Sequence, residues 1–247
     1  MKALIKKILQ RILGFDNYLY IFSLFTIYTL KWNKNEKDFL FFLKLIPDEG
    51  IVLDIGANIG IMTAHLCRKL KNVTVYAFEP MPNNLKALQR IIAFFHLNNV
   101  KVMDFALGNE EGEAEMVMPV VDSVKMQGLS HVVHDSIEEF NEGARFRVPV
   151  RKLDNLKEFV ETDKRITAIK MDVENFEFFV LDGAKDLIKK HKPLIYTELW
   201  ENENRDNCLK LIRELEYDVQ VIQDGKLVDF DSQKHNTQNF FFVPRTK

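Results

Sequence analysis

Residues 51–60, Ile51-Val52-Leu53-Asp54-Ile55-Gly56-Ala57-Asn58-Ile59-Gly60, read as a buried strand running into a tight glycine turn. Ile51 to Ile55 is a short apolar run suited to the middle of a parallel sheet. Gly56 and Gly60 bracket the turn, and helical periodicity follows through Ile61, Ala64, His65 and Leu66. Glycine lets the backbone approach a ligand closely, and the next helix offers unpaired N–H groups at its start. Downstream, a second strand-like run from Val73 to Phe78 ends on Glu79 and Pro80. A carboxylate at the tip of the second strand of such a unit can accept the hydroxyls of a ribose. Strand, glycine turn, helix, strand and acid together describe the nucleoside-binding half of a doubly wound fold.

The glycine spacing separates two kinds of nucleoside. Dinucleotide folds use G-x-G-x-x-G, whose middle glycine clears room for a pyrophosphate. Asn58 occupies that middle position. A side chain there crowds a diphosphate but not an amino-acid chain carrying a sulfonium. With Ala77-Phe78-Glu79-Pro80, the spacing favours S-adenosylmethionine over NAD. Two alternatives stay open: an NAD-type oxidoreductase, although no Tyr-x-x-x-Lys string occurs, and a non-catalytic S-adenosylmethionine-binding protein.

A chain of 247 residues with 47% hydrophobic residues fits one α/β domain with elaborations. The expected division is an N-terminal helical extension over 1–45 and a Rossmann-like domain over 46–247, with an insert at about 110–150. A net charge of −2 gives no general basic field for nucleic acid. Two cysteines, Cys67 and Cys208, suit a reducing, cytoplasmic setting and read as two buried thiols. In the first helix Leu4, Ile5, Ile8, Leu9, Ile12 and Leu13 form one face, and Lys2, Lys6, Lys7 and Arg11 the other. Asn17 to Leu30 carries no charge, yet 14 residues are too few to span a bilayer as a helix. Residues 1–30 therefore read either as a helical cap or homo-oligomer contact, or as an interfacial anchor peripheral to the inner membrane face.

Further along, Glu36 to Leu45 and Asn83 to Phe95 have helical periodicity, and Val100 to Ala106 reads as a third strand carrying Asp104. Gly108 to Pro119 and Phe146 to Leu153 alternate like half-exposed strands. Residues 120–144 are the least regular stretch. Leu153 to Val160 reads as helical. Ile166 to Met171 is a fourth buried strand, ending at Asp172-Val173-Glu174, and one helix is expected from Phe178, closing near His191-Lys192-Pro193. Leu194 to Thr197 is a fifth strand ending on Glu198, Asn204 to Leu215 a helix, and Val219 to Ile222 and Asn239 to Val243 close the sheet. This alternation argues for a mostly parallel, Rossmann-like α/β sheet with an antiparallel last strand.

Four ordered strings resemble the FkbM-type S-adenosylmethionine-dependent methyltransferases: Leu-Asp-Ile-Gly-Ala-Asn-Ile-Gly at 53–60, Tyr-Ala-Phe-Glu-Pro-Met-Pro-Asn-Asn at 76–84, Ile-Lys-Met-Asp-Val-Glu at 169–174 and Val-Leu-Asp-Gly-Ala at 180–184. Thr197-Glu198 is similar to the end of the family's fifth strand. The resemblance implies a class I methyltransferase fold and O-methylation of a hydroxyl on a sugar, glycan or related metabolite. One departure is Asn175, where the family carries glycine after Asp-Val-Glu; Asn tolerates left-handed backbone, but it could also narrow the acceptor site.

The resemblance places Gly56, Ala57, Asn58 and Gly60 beside the methionine part of the cofactor and Asp54 just beneath it. It puts Glu79 and Pro80 at the ribose and Asp104, Phe105 and Ala106 at the adenine. An alcohol is a poor nucleophile, so a base or a metal should help remove its proton. Asp172 and Glu198 stand at the carboxyl ends of adjacent strands, where open α/β sheets bind ligands. Glu174 follows two residues on. These carboxylates are the catalytic candidates; Mg²⁺ held by them is the less favoured reading, and no metal ligand is assigned. Against a catalytic role, Glu174 and Glu177 also read as surface or helix-start acids. Lys170 could neutralise one carboxylate. His131 and His134, in an insert that could fold over the cofactor, are weaker candidates for the base.

Overall fold

The computed structural model describes residues 2–121, 124–134, 137 and 141–245. Residues 122–123, 135–136 and 138–140 of the irregular stretch lie outside that description. Helices α1 (Lys2–Leu13), α2 (Phe15–Thr29) and α3 (Lys37–Leu45) precede the sheet. Then come β1 (Ile51–Ile55), α4 (Ile61–Lys69), β2 (Thr74–Phe78), α5 (Pro82–Phe94) and β3 (Val100–Met103). Next come β4 (Ala106–Leu107) and, from the expected insert, β5 (Gly112–Val121), β6 (Val124–Lys125), β7 (His131–Val132) and β8 (Gly143–Arg151). After α6 (Lys157–Val160) follow β9 (Ile166–Met171), α7 (Glu177–Asp182), α8 (Lys185–His191), β10 (Leu194–Glu198) and α9 (Glu203–Glu214). The chain closes with β11 (Tyr217–Gln223), β12 (Lys226–Asp229) and β13 (Asn239–Pro244).

Eight strands form the main sheet in the order β12-β11-β13-β10-β9-β1-β2-β3. From β3 to β10 neighbours run parallel, and β13 pairs antiparallel with both β10 and β11. Every residue of β1 and β9 is buried, as expected of central strands covered on both faces. The period of two divides the core between those faces. Phe240 and Phe242 join Leu53, Phe78 and Ile169 on one side, while Phe241 joins Val52, Phe39 and Phe42 on the other. Phe42 stacks on Tyr196 with ring centroids 5.3 Å apart, so α3 lies directly on the sheet. Each such fully buried side chain contributes about 1.5–3 kcal/mol.

Two expected elements are divided. The run Val100–Ala106 ends as a strand at Met103; Asp104 is exposed, and Ala106-Leu107 leaves to pair with β8 in a second sheet. Phe105 makes the crossing by packing its ring 5.8 Å from Phe78. The helix expected from Phe178 to near His191 breaks at Gly183, where a Cβ would come within 2.0 Å of the Gly108 carbonyl oxygen. The following turn restarts on the Asp154 carboxylate, which accepts from the N–H groups of Asp186 and Leu187 at 3.1 and 2.8 Å.

The second sheet, in the order β4-β8-β5-β6 with β7 also on β5, is the insert. Its spine is the antiparallel β5–β8 ladder from Gly112↔Val150 to Pro119↔Gly143. Cys67 and Cys208 are both buried free thiols, and burial pushes the Cys67 thiol up to about 12.

Candidate active site

The turn after β1 is built from residues held in left-handed backbone: Gly56, Asn58 and Gly60 have φ of 75°, 50° and 83°. At Gly56 no side chain fits, because a Cβ would lie 1.9 Å from the carbonyl oxygen of Asp172. This close approach joins the β1 turn to the end of β9. Glu79, at the tip of β2, is buried and answers the turn from the other side. Its Oε2 accepts from the Asn58 N–H at 2.8 Å, and its Oε1 accepts from the Met81 N–H at 2.8 Å and the Asn84 amide at 3.2 Å. Burial nonetheless pushes this carboxyl up to about 7.

Between turn and acid lies a narrow crevice with a cavity volume of about 60 Å³. Gly56, Asn58, Glu79 and Pro80 line one side, Phe105 and Ala106 another, and Asp172 and Glu174 a third. The Asn58 Oδ1 is buried without a hydrogen-bond partner.

Charge at the carboxyl end of β9 is organised by the buried Lys170. Its Nζ lies 3.8 Å from Asp54 and 3.6 Å from Asp172, and donates to the Gly56 carbonyl at 3.2 Å. Burial pulls this ammonium toward the neutral form, but Asp172, Asp54, Glu198 and Glu36 outweigh it and hold its pKa above the usual lysine range. Asp54 is fully buried; its Oδ2 accepts from the Thr63 hydroxyl at 2.5 Å. Burial and the neighbouring Asp172, Glu177 and Glu198 raise Glu174 well above the carboxylate range. Burial and Asp172 push Glu198 up to about 7, and burial pushes Glu177 up to about 8.

The insert roofs the crevice with Gln127, Gly128, Ser130 and Val132. Gln127 Oε1 and Ser130 Oγ are buried and lack hydrogen-bond partners among the described residues. Helix α1 grips the same segment from outside. Gln10 pairs with the Lys125 backbone in both directions, donating to its carbonyl at 3.0 Å and accepting from its N–H at 3.2 Å.

The family model described as the methyltransferase FkbM domain matches residues 54–223, which contain both the turn and the β9 and β10 acids. The chain belongs to the FkbM methyltransferase family. Methyltransferase 1 of Beauveria bassiana (strain ARSEF 2860) is 28% identical over 153 residues, covering 57% of this chain and 60% of that protein. Methyltransferase sdnD of Sordaria araneosa is 25% identical over 177 residues, covering 63% and 68%. The crystal structure of methyltransferase FkbM from Methylobacillus flagellatus KT shares 20% identity and a TM-score of 0.52, covering 81% of this chain but 45% of that one. This chain thus spans less than two thirds of Methyltransferase 1 and less than half of the solved chain. The shared fold is the Rossmann-like class I methyltransferase fold.

Within this FkbM domain the residues singled out by sequence fall into two groups. Gly56, Asn58, Glu79, Pro80, Phe105, Ala106, Asp172 and Glu174 converge on the crevice. Asp54, Ala57, Gly60, Asp104 and Glu198 lie outside its lining. Ala57 packs instead against Ala77 and Leu88, and a Cβ on Gly60 would meet Leu88 at 2.8 Å, so both serve the seat of α5 on the turn. Asp54 lies under the turn with Lys170 and Thr63. Glu174 is half-buried, and Glu177 is not a surface acid: it is buried, and its Oε1 accepts from the Val173 N–H at 2.9 Å. Asn175 takes φ 73°, so the turn survives without glycine; its side-chain oxygen accepts from Asn202 at 2.8 Å and it lies outside the crevice lining.

His131 is buried, its ring nitrogens 2.9 Å from the Leu129 carbonyl and 3.2 Å from Asn141, stapling the insert rather than lining the crevice. His134 packs 4.5 Å from the Phe179 ring. Asn84, Met116, Gln127, Ser130 and Phe176 line the crevice without having been singled out as site residues. Among the described residues no group of three or more His, Cys, Asp or Glu side chains is placed to hold a metal ion.

Proposed function

We propose that the chain transfers a methyl group from S-adenosylmethionine to a hydroxyl of a small-molecule or glycan acceptor. The observation that carries this reading is the set of groups that converge on the crevice between the Gly56 turn and Glu79. Its lining fits the cofactor. Gly56 presents bare backbone, and the partnerless Asn58 Oδ1 suits the donor hydrogens of an ammonium group. Glu79 has three of about four acceptor positions filled by protein, leaving one for a ribose hydroxyl. Phe105 and Ala106 offer an apolar wall to a base. When bound, the cofactor supplies an electrophilic methyl group on a positively charged sulfur.

Asp172 and Glu174 wall the same crevice and act on the acceptor. Asp172, braced by Lys170, receives the hydrogen bond and then the proton of the acceptor hydroxyl. Glu174 is held protonated by burial and its acidic neighbours, so it donates a hydrogen bond and orients the acceptor. Glu198, outside the lining, adds to the burial, Asp172 and Glu177 that keep Glu174 protonated. Holding the reacting oxygen in line supplies much of the rate. Beside the crevice, and sharing Val132 and Phe176 with it, a second depression is walled by Phe176 and Phe179 stacked at 4.5 Å. An aromatic platform of this kind supports a ring-shaped acceptor such as a sugar.

Thermal shift tests the cofactor reading. S-adenosylhomocysteine at a hundred times its Kd should stabilise the chain by about 2.7 kcal/mol, and NAD should not. Stabilisation by NAD alone would end the proposal. Transfer of labelled methyl from the cofactor into a glycan extract then tests the acceptor class.

A further inference from the structure

Helix α1 is mounted inside out. Its half-buried positions are Lys6, Gln10 and Leu13, while Leu4, Ile5, Ile8, Leu9 and Ile12 are between 40% and 73% exposed. An amphipathic helix that merely capped a domain would turn its aliphatic stripe inward. Here the inward polar side is already satisfied. Gln10 holds the Lys125 backbone, Lys6 Nζ reaches the Met126 sulfur at 3.5 Å, and the Lys125 ammonium sits 4.6 Å from the Phe15 ring. Among the described residues no protein partner covers the outward stripe, a patch of the kind that marks an interaction surface.

A second exposed stripe continues on α2 and just beyond it. Ile21, Phe25, Tyr28 and Trp32 follow the three-and-four spacing of one helical side, and all are exposed. Trp32 carries the Lys31 ammonium 4.4 Å over its ring, an amphipathic pairing suited to the boundary between hydrocarbon and water. Charge is segregated to the same segment. Residues 1–37 hold seven of the 34 basic residues but two of the 36 acidic ones. Among the described residues no helix is long and apolar enough to cross a membrane.

We infer that α1 and the exposed side of α2 bind the surface of a bilayer containing anionic lipid. The aliphatic stripe enters the acyl boundary, and the flanking Lys and Arg side chains meet the phosphates. A second copy of this chain is the poorer occupant. A two-fold contact would lay stripe on stripe and bring two basic segments together with few acids to answer them, whereas lipid phosphates neutralise them. The inference stands independently of the methyl-transfer reading. It also has a geometric consequence, since α1 grips Lys125 and Met126 immediately before the Gln127–Ser130 roof. Lipid binding through the outward stripe therefore leaves α1 between the bilayer and the Gln127–Ser130 roof.

Flotation of the full chain with vesicles of phosphatidylcholine, with and without phosphatidylglycerol, tests this. Binding should require the anionic lipid, weaken at high salt and shift Trp32 emission to the blue. The variant Ile5→Ser/Ile8→Ser/Ile12→Ser changes only exposed positions and should keep the parent melting temperature. Its partition into vesicles should fall roughly a hundredfold or more. Three results would each overturn the inference: no flotation with either vesicle, flotation unaffected by the triple change, or a dimer in solution that the triple change dissociates while vesicles stay unbound.

Discussion

The backbone N–H of Asn58 and the carboxylate of Glu79, 21 residues apart in sequence, meet at 2.8 Å. One acid thus fixes the glycine turn after β1 and also stands at the tip of β2. Asn58 itself is in left-handed backbone at this contact. Any ligand gripped by Glu79 is therefore registered against the turn.

Replacing Glu79 by Gln keeps the volume but loses the charge and gives a donor where three donors converge. Hydrogen bonds to charged groups contribute about 1.5–3 kcal/mol. Calorimetry with S-adenosylhomocysteine should show at least about a tenfold weaker Kd, since 1.4 kcal/mol is a factor of ten. Unchanged affinity would remove Glu79 from the ribose site.

Gly56→Ala should be among the most damaging small substitutions in the chain. The new Cβ would meet the Asp172 carbonyl oxygen at 1.9 Å, and φ is 75°. Strain of about 1–3 kcal/mol for the backbone alone is expected. Denaturant titration should show lowered stability, and S-adenosylhomocysteine binding should be lost with it.

Lys170→Met should destabilise the fold by about 3–5 kcal/mol, because it leaves the buried Asp54 carboxylate without its counter-charge. The double change Lys170→Met/Asp54→Asn should recover part of the loss. A urea midpoint for the single variant equal to the parent's would show that Asp54 is not held as an anion by Lys170.

Gln127→Leu should act with opposite signs on stability and binding. Gln127 Oε1 is a buried acceptor with no partner among the described residues, and leaving such an acceptor unpaired costs about 1–3 kcal/mol. Leucine removes that cost, so the free protein should melt higher. If the roof reads a bound ligand through that oxygen, affinity for S-adenosylhomocysteine should fall several-fold. A variant that melts lower would mean the amide already has a partner.

The pH dependence of stability follows from carboxyls raised by burial. Glu79 and Glu198 stand near 7 and Glu177 near 8, against an ordinary 4.5. The folded chain keeps protons that the unfolded chain has released. The stabilisation is therefore fully present below about pH 4.5 and is lost as pH rises through 7 to 8. Melting temperature should decline between pH 5 and 8.5. Glu177→Gln, which cannot ionise, should flatten that slope.

The strands that build the crevice were legible because burial on both faces writes a continuous apolar run, as at Ile51–Ile55 and Ile166–Met171. The turn and Glu79 were legible because glycine and an acid at fixed places answer local backbone needs. Gln127 and Ser130 were not, since their positions over the crevice depend on β5–β8 pairing and on α1 rather than on local pattern. The Val100–Ala106 run hid its break, because its apolar residues serve two different sheets in succession. Glu177 looked like a helix-start acid, and it does begin α7, but burial by neighbouring elements cannot be read from one segment.

The placement of β13 between β10 and β11 has a consequence for biosynthesis. The hairpin of β11 and β12 leaves the ribosome before the strand that joins it to the rest of the sheet. Until Asn239–Pro244 emerges, β10 keeps an open edge, and the nascent chain must protect it from pairing with strangers.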